Sequence, residues 1–117
     1  MNKVYYLSTC DTCKRIFKEI NLPENFEKQD IKTNLITENQ LEEMHRLSNS
    51  YESLFSKRAR LYKERDLKNK ELTEQDLKNL LLEHYTFLKR PVFIIDQEIF
   101  IGNSKKTVEA VKQKLHG

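Results

Sequence analysis

Two cysteines, Cys10 and Cys13, stand three apart in the stretch STCDTCKRIF and are the only ones in the chain. A thiol pair at this spacing can be a redox pair, half of a metal site, or two unreactive small residues at the start of a helix. A closed zinc site needs four ligands, and no third cysteine exists, while His45, His84 and His116 are single and scattered. Placement near a strand-to-helix junction favours thiol–disulfide chemistry. A cysteine at a helix N-terminus faces unpaired N–H groups and the positive end of the helix dipole. Both favour thiolate, so its pKa is expected below the free value of about 8.5. Lys14 and Arg15, directly behind, add positive charge. Cys10 precedes the apolar face of the predicted helix and is expected to be reachable. Cys13 lies on that face and is expected to be less exposed. The asymmetry suits a division of labour in which Cys10 attacks and Cys13 resolves the adduct into an intramolecular disulfide.

The elements that must position this pair follow from the flanking pattern. KVYYLS (3–8) is β-branched and aromatic and reads as a buried strand. Behind it, Cys13, Ile16, Phe17 and Ile20 recur at the spacing of one helix face, and Pro23 sits beyond the end. NFEKQDI (25–31), anchored by Phe26 and Ile31, suits a second strand and completes a βαβ unit. TENQ at Thr37 to Gln40 is a capping box, continued by Leu41, Met44 and Leu47. YESLFSKRARLYKERDL (51–67) reads as a broken helical stretch, with Tyr62 expected in the protein core, a place lining the site being the other reading. Thr73 opens a further helix, whose apolar face is predicted to run through Leu77, Leu80, Leu81, His84, Tyr85 and Leu88. His84 is then a packed helix residue rather than a base. RPVFIID (90–96) reads as an interior strand and QEIFIG (97–102) as the return arm of a hairpin. Asn103 or Ser104 caps a last helix carrying Val108, Val111 and Leu115. Tyr5, Tyr6, Phe93 and Phe100 are strand residues expected in the core. The expected fold class is α/β, a small mixed sheet in the order β-α-β … β-β-α. The chain reads as a single domain, 1–117, with a helical insertion at about 35–88.

Composition narrows the function classes. The 117 residues suit one domain, and only two glycines and two prolines argue against both a disordered linker and a turn-rich β-protein. Net charge is +3, with the two signs interleaved as in KERDLKNKE, so direct nucleic-acid binding is not expected. No apolar run approaches the ~18 residues of a membrane span, and MNKVYYLSTCD lacks a signal-peptide pattern. A cytoplasmic protein without membrane attachment is expected, and reduced thiols go with that compartment.

Three pieces of the sequence together carry a family resemblance: STCDTCK after the first strand, SKRARLYKE in the middle, and LKRPVFIID…IFIGNSKKTVEAV at the end. In this order and at these separations they resemble the arsenate reductase (ArsC) family, which includes the Spx regulators. The resemblance implies a thioredoxin-like fold with a helical insertion. It implies that Cys10 is the nucleophile, that Arg90 contacts a substrate oxyanion, and that Arg58, or Arg60 on a shifted alignment, does the same. Thr12 and Asn103 fall at further substrate-binding positions, and Pro91 at a cis peptide shaping the site. Arginine's planar fork suits anion binding and stabilisation of a leaving oxygen. Asn103 stands where typical arsenate reductases of the family carry a further arginine, so one anion contact is missing. The C-x-x-C arrangement is that of Spx proteins, whereas those reductases commonly use one cysteine and an external thiol. The implied function is a thiol-dependent oxidoreductase. Cys10 attacks an oxyanion or a disulfide, Cys13 or glutathione resolves the adduct, and a glutaredoxin or thioredoxin restores the thiols. No metal or bound organic cofactor is needed, and a monomer is expected. The alternative is an Spx-like redox-sensing regulator that binds the RNA polymerase α subunit.

Overall fold

A computed structural model describes residues 2–117. In chain order the elements are β1 (Lys3–Tyr6), α1 (Asp11–Glu19), β2 (Glu27–Asp30), α2 (Glu38–Ser48), α3 (Arg60–Glu64), α4 (Glu74–Glu83), β3 (Val92–Ile95), β4 (Glu98–Ile101) and α5 (Lys105–His116). The chain divides into two compact units, one of residues 1–34 and 90–117, the other of residues 35–89.

The first unit holds a four-stranded sheet in the order β2-β1-β3-β4. β1 pairs parallel to β2, with Lys3 opposite Glu27 and Tyr6 opposite Asp30. β3 runs antiparallel to β1, with Val4 opposite Phe93. β4 returns antiparallel to β3 after a two-residue turn, and Ile95 faces Glu98. Both turn residues, Asp96 and Gln97, have positive φ (49° and 72°), the mirror-image geometry that matches strand twist. Alternation along the strands sends Val4, Phe93 and Ile95 into one buried cluster with Ile16 of α1, Ile20 at its C-cap, and Val108 and Val111 of α5. Both helices therefore cover the same sheet face. Phe17 sets its ring edge-on to Phe93 at 6.0 Å, and Leu115 closes the rim. Each buried aliphatic or aromatic side chain contributes about 1.5–3 kcal/mol relative to exposure, so this cluster is what anchors α1 to the sheet. Ser104, not Asn103, caps α5, its Oγ accepting from the Thr107 N–H at 3.2 Å. On the opposite sheet face Tyr5, Gln29, Val92 and Ile94 are buried. Lys3 joins them, paired with Glu27 at 3.4 Å.

The second unit is built from α2, α3 and α4. Thr37 and Thr73 both form reciprocal capping boxes, with Gln40 and Asp76 respectively. Lys78 reaches Glu38 at 3.1 Å and Glu42 at 3.0 Å, tying α4 to α2. Glu42 also accepts from the Tyr51 hydroxyl at 2.6 Å. Phe55 stacks on Phe87 with centroids 5.3 Å apart, and Tyr62, half-buried, meets Phe55 edge-on at 5.9 Å.

Here the sequence pattern overstates the helices. α4 stops at Glu83, and His84 is extended at φ −149°, ψ 137°. A 3-10 turn, Tyr85–Phe87, follows, and Leu88 bridges to Phe55 as a single antiparallel pair. His84 is therefore not a helix residue; its Nδ1 accepts from the Thr86 N–H at 3.0 Å. The helical spacing of Leu81, His84, Tyr85 and Leu88 is overridden by the pairing to Phe55. The 51–67 stretch resolves into a 3-10 turn at Glu52–Leu54, the short α3, and a second 3-10 turn at Leu67–Asn69, entered through Asp66 at φ 53°. In the first unit β1 ends at Tyr6 rather than Ser8, because Leu7 to Cys10 turn toward α1.

Candidate active site

The cysteine pair sits where β1 gives way to α1. The Cys10 N–H donates to the Leu7 carbonyl at 3.1 Å, closing a turn over residues 7–10. That turn leaves Cys10 extended (φ −90°, ψ 110°) as the N-cap of α1, its side chain closing no cap hydrogen bond of ordinary geometry. Cys10 is partly exposed, whereas Cys13, one turn into the helix, is fully buried beside Ile16; both are free thiols. The two residues thus differ in access, as their places on the helix dictate.

Their acidities diverge in the same sense. Burial, the largest influence on Cys10, works against the thiolate. It is outweighed by the N–H and the thiol of Cys13, the charge of Arg90 and the N–H of Thr12, so the Cys10 thiol lies below its ordinary value. Burial pushes the Cys13 thiol up to about 11, and interaction with Cys10 adds to the rise, against the N–H of Leu7 and the charge of Arg90. One thiol is prepared to ionise and the other to stay protonated. The pair can therefore present a single sulfur nucleophile with a proton donor behind it.

The cation acting on Cys10 is Arg90, which reaches it from the segment before β3. Lys14 and Arg15, expected from their sequence proximity to add charge, are exposed, and Arg15 pairs with Glu19 at 3.5 Å. The Arg90–Pro91 peptide is cis. Pro91 is buried, and its carbonyl accepts from the Gly102 N–H at 2.9 Å, holding the end of β4 against the start of β3. Gly102 has φ 92°, a left-handed conformation that glycine adopts without strain. Asn103 follows it on the exposed loop before α5.

The structure thus brings together Cys10, Cys13, Thr12 and Arg90 within the first unit. Arg58 belongs to the second unit, where it is exposed in a turn, its N–H donating to Ser56 Oγ at 3.4 Å. Arg60, the other candidate, is paired with Glu64 at 3.6 Å. The three histidines are engaged elsewhere: His45 stacks on Tyr51 at 4.1 Å, His84 accepts from Thr86, and a ring nitrogen of His116 lies 2.7 Å from the Ile20 carbonyl. Among the described residues no group of three or more His, Cys, Asp or Glu is arranged to hold a metal ion, and no helix is long and apolar enough to cross a membrane. Sequence reading passed over Ser8 and Asp30, whose side chains meet at 2.5 Å beside the cysteine turn. Their separation of 22 residues hides the contact until β1 and β2 are set in register.

Comparison with known proteins agrees with this architecture. The ArsC family model matches residues 5–111. Among solved structures, a Bacteroides fragilis protein related to the ArsC family superposes with a TM-score of 0.77 at 22% identity, covering 94% of this chain and 97% of that one. A Staphylococcus aureus protein solved by NMR gives a TM-score of 0.75 at 26% identity, again covering 94% and 97%. Arsenate reductase from Vibrio cholerae gives 0.72 at 16% identity, covering 96% and 95%. Comparison with curated proteins yields no match. These likenesses fix a thioredoxin-like fold, and the family match supports a thiol-dependent, oxidoreductase-like function. With a match running from within β1 to within α5 around the Cys10 site, the chain belongs to the ArsC family.

Proposed function

We propose that the chain is a thiol-dependent oxidoreductase of the arsenate reductase type. In this reading the Cys10 thiolate attacks an oxidised substrate, and Arg90 holds its negative charge. The observation that carries the reading is the pairing of a partly exposed Cys10, held below its ordinary acidity range at the N-terminus of α1, with a buried Cys13 raised to about 11. With arsenate, the sulfur bonds to arsenic and one oxygen leaves, protonated, as water. A second thiol, Cys13 or glutathione, then attacks the Cys10 sulfur. The As–S electron pair goes to arsenic, which leaves as arsenite, and a disulfide remains. With a disulfide substrate, Cys10 displaces one thiolate, and the second thiol displaces the other. A glutaredoxin or thioredoxin returns the two electrons to the protein.

Turnover with arsenate or a small disulfide, in the presence of glutathione and glutaredoxin, tests the proposal. Wild-type activity that is lost in Cys10→Ser and reduced in Arg90→Gln is the expected result. No turnover with either substrate, together with redox-dependent binding to the polymerase α C-terminal domain, would replace this reading with the Spx-like one.

A further inference from the structure

We propose that Asp30 is a positioning residue for Cys10. It acts through Ser8, clamping the turn of residues 7–10 that aims the Cys10 sulfur at the N–H groups of α1. The inference rests on the reading of Cys10 as nucleophile and adds to it a residue 20 positions away in sequence.

The clamp has a fixed side and a loose side. Asp30 is the fixed side. It ends β2 opposite Tyr6, and its Oδ1 accepts from the Lys32 N–H at 3.1 Å. Its carbonyl accepts from the Asn34 N–H at 2.9 Å and from the Thr33 hydroxyl at 3.4 Å. Oδ2 remains for Ser8, whose hydroxyl donates to it at 2.5 Å, and the Ser8 N–H is aimed at the same carboxylate. That is the short, charge-assisted class of O–H···O⁻ hydrogen bond. Ser8 is on the loose side. Its turn projects beyond the β1 ladder, Ser8 and Thr9 are exposed, and the backbone closes it with the Cys10-to-Leu7 bond at 3.1 Å.

Both cysteines depend on how this turn is held. The extended backbone of Cys10 sets the direction of its sulfur relative to the N–H groups of Thr12 and Cys13, which favour thiolate. Leu7, at the turn's first position, offers its own N–H toward the Cys13 sulfur. Releasing Ser8 lets the turn rotate and weakens these alignments together. A carboxylate near the site also opposes a second negative charge, so Asp30 as a mere charge would act in the opposite direction. The two roles are therefore separable.

The test is the pH dependence of Cys10 alkylation by iodoacetamide, read by mass spectrometry on the folded protein. The set is wild type, Ser8→Ala, Asp30→Ala, Asp30→Asn and the double variant S8A/D30A. Asn retains an acceptor oxygen for Ser8 and removes the charge. The expected result is an upward shift of the midpoint in S8A, corresponding to about a two- to tenfold lower thiolate-to-thiol ratio for one hydrogen bond lost, and a shift at least as large in D30A, which also loses the contact to the Ser8 N–H. D30N stays at or below the wild-type midpoint, and the double variant moves no further than the larger single. Unmoved midpoints in S8A and D30A overturn the clamp, as does D30N shifting upward with D30A. D30A also strips an acceptor from the Lys32 N–H. If that weakens the fold too far for the assay, S8A, which touches the turn alone, decides: an upward shift upholds the clamp and an unmoved midpoint overturns it. A wild-type midpoint at the free-thiol value sinks the nucleophile reading by itself; the clamp is then judged on the S8A shift as before.

Discussion

Replacing Cys13 separates its two effects on Cys10. Its N–H and its thiol both favour the Cys10 thiolate, but substitution removes only the thiol. Cys13→Ala deletes the donor, whereas Cys13→Ser keeps one of similar size and greater strength. Both leave Cys10 as the sole cysteine, so alkylation reports on one sulfur. A hydrogen bond to a charged group is worth roughly 1.5–3 kcal/mol net. A thiol is a weak donor and Cys10 is partly open to water, which brings the figure down to about 1 kcal/mol, a factor of about five in the thiolate-to-thiol ratio. Cys13→Ala should therefore slow alkylation about fivefold below the titration midpoint. The small void it leaves admits more solvent near Cys10 and trims the effect, since burial is the largest influence opposing the thiolate. Cys13→Ser should match or exceed the wild-type rate. Equal rates in the Ala and Ser variants would refute the donor role and leave Arg90 and the helix end as the source of activation.

Three other outcomes follow from the same physics. A Cys13 thiol that titrates at about 11 when folded and at ~8.5 when unfolded holds its proton more tightly in the native state. Its stabilisation is complete below the unfolded value and is lost as pH rises through the folded one. Urea midpoints of the wild type should fall over that window more steeply than those of Cys13→Ser. Thr73→Ala removes the Thr73 hydroxyl that accepts from the Asp76 N–H at 3.1 Å and should cost about 1 kcal/mol by urea titration. Gln97, at φ 72° in the hairpin turn, should gain about 0.5–1 kcal/mol when replaced by glycine, because the strain of a side chain there exceeds glycine's added chain entropy.

What the sequence discloses is what local chemistry determines. Cys13, Ile16 and Ile20 are buried on one face of α1 as their spacing requires, and the hydroxyls of Thr37, Thr73 and Ser104 cap the helices they precede. These signals act over a few residues. Where a distant partner decides, local pattern misleads. Leu88 continues the spacing of α4, yet its backbone pairs with Phe55, far earlier in the chain. Lys14 and Arg15 are neighbours of Cys13 in sequence, but the helix turns them to solvent, and the effective charge comes from Arg90 across the sheet topology. Ser8 and Asp30 carry no motif at all. Their contact exists because β1 and β2 are parallel in a register that ends with Tyr6 opposite Asp30.

The same asymmetry that activates Cys10 sets the order of events after it has reacted. As a resolving group Cys13 must lose its proton, and two influences oppose that: burial, the larger, and the neighbouring Cys10. Once Cys10 is tied up in an adduct its negative charge is gone, so the second influence weakens. Burial remains as long as α1 keeps its first turn packed against the sheet. An external thiol meets neither obstacle at the partly exposed Cys10 sulfur. The adduct on Cys10 should therefore outlast its formation and decay at a rate set by external thiol concentration. Quenching the wild type in acid after reaction with a small disulfide should show a mixed disulfide on Cys10 by mass spectrometry, in yield comparable to that of Cys13→Ser. Immediate appearance of an internal Cys10–Cys13 disulfide in its place would mean that the first turn of α1 opens faster than external thiols arrive, and that Cys13 serves as the resolving thiol.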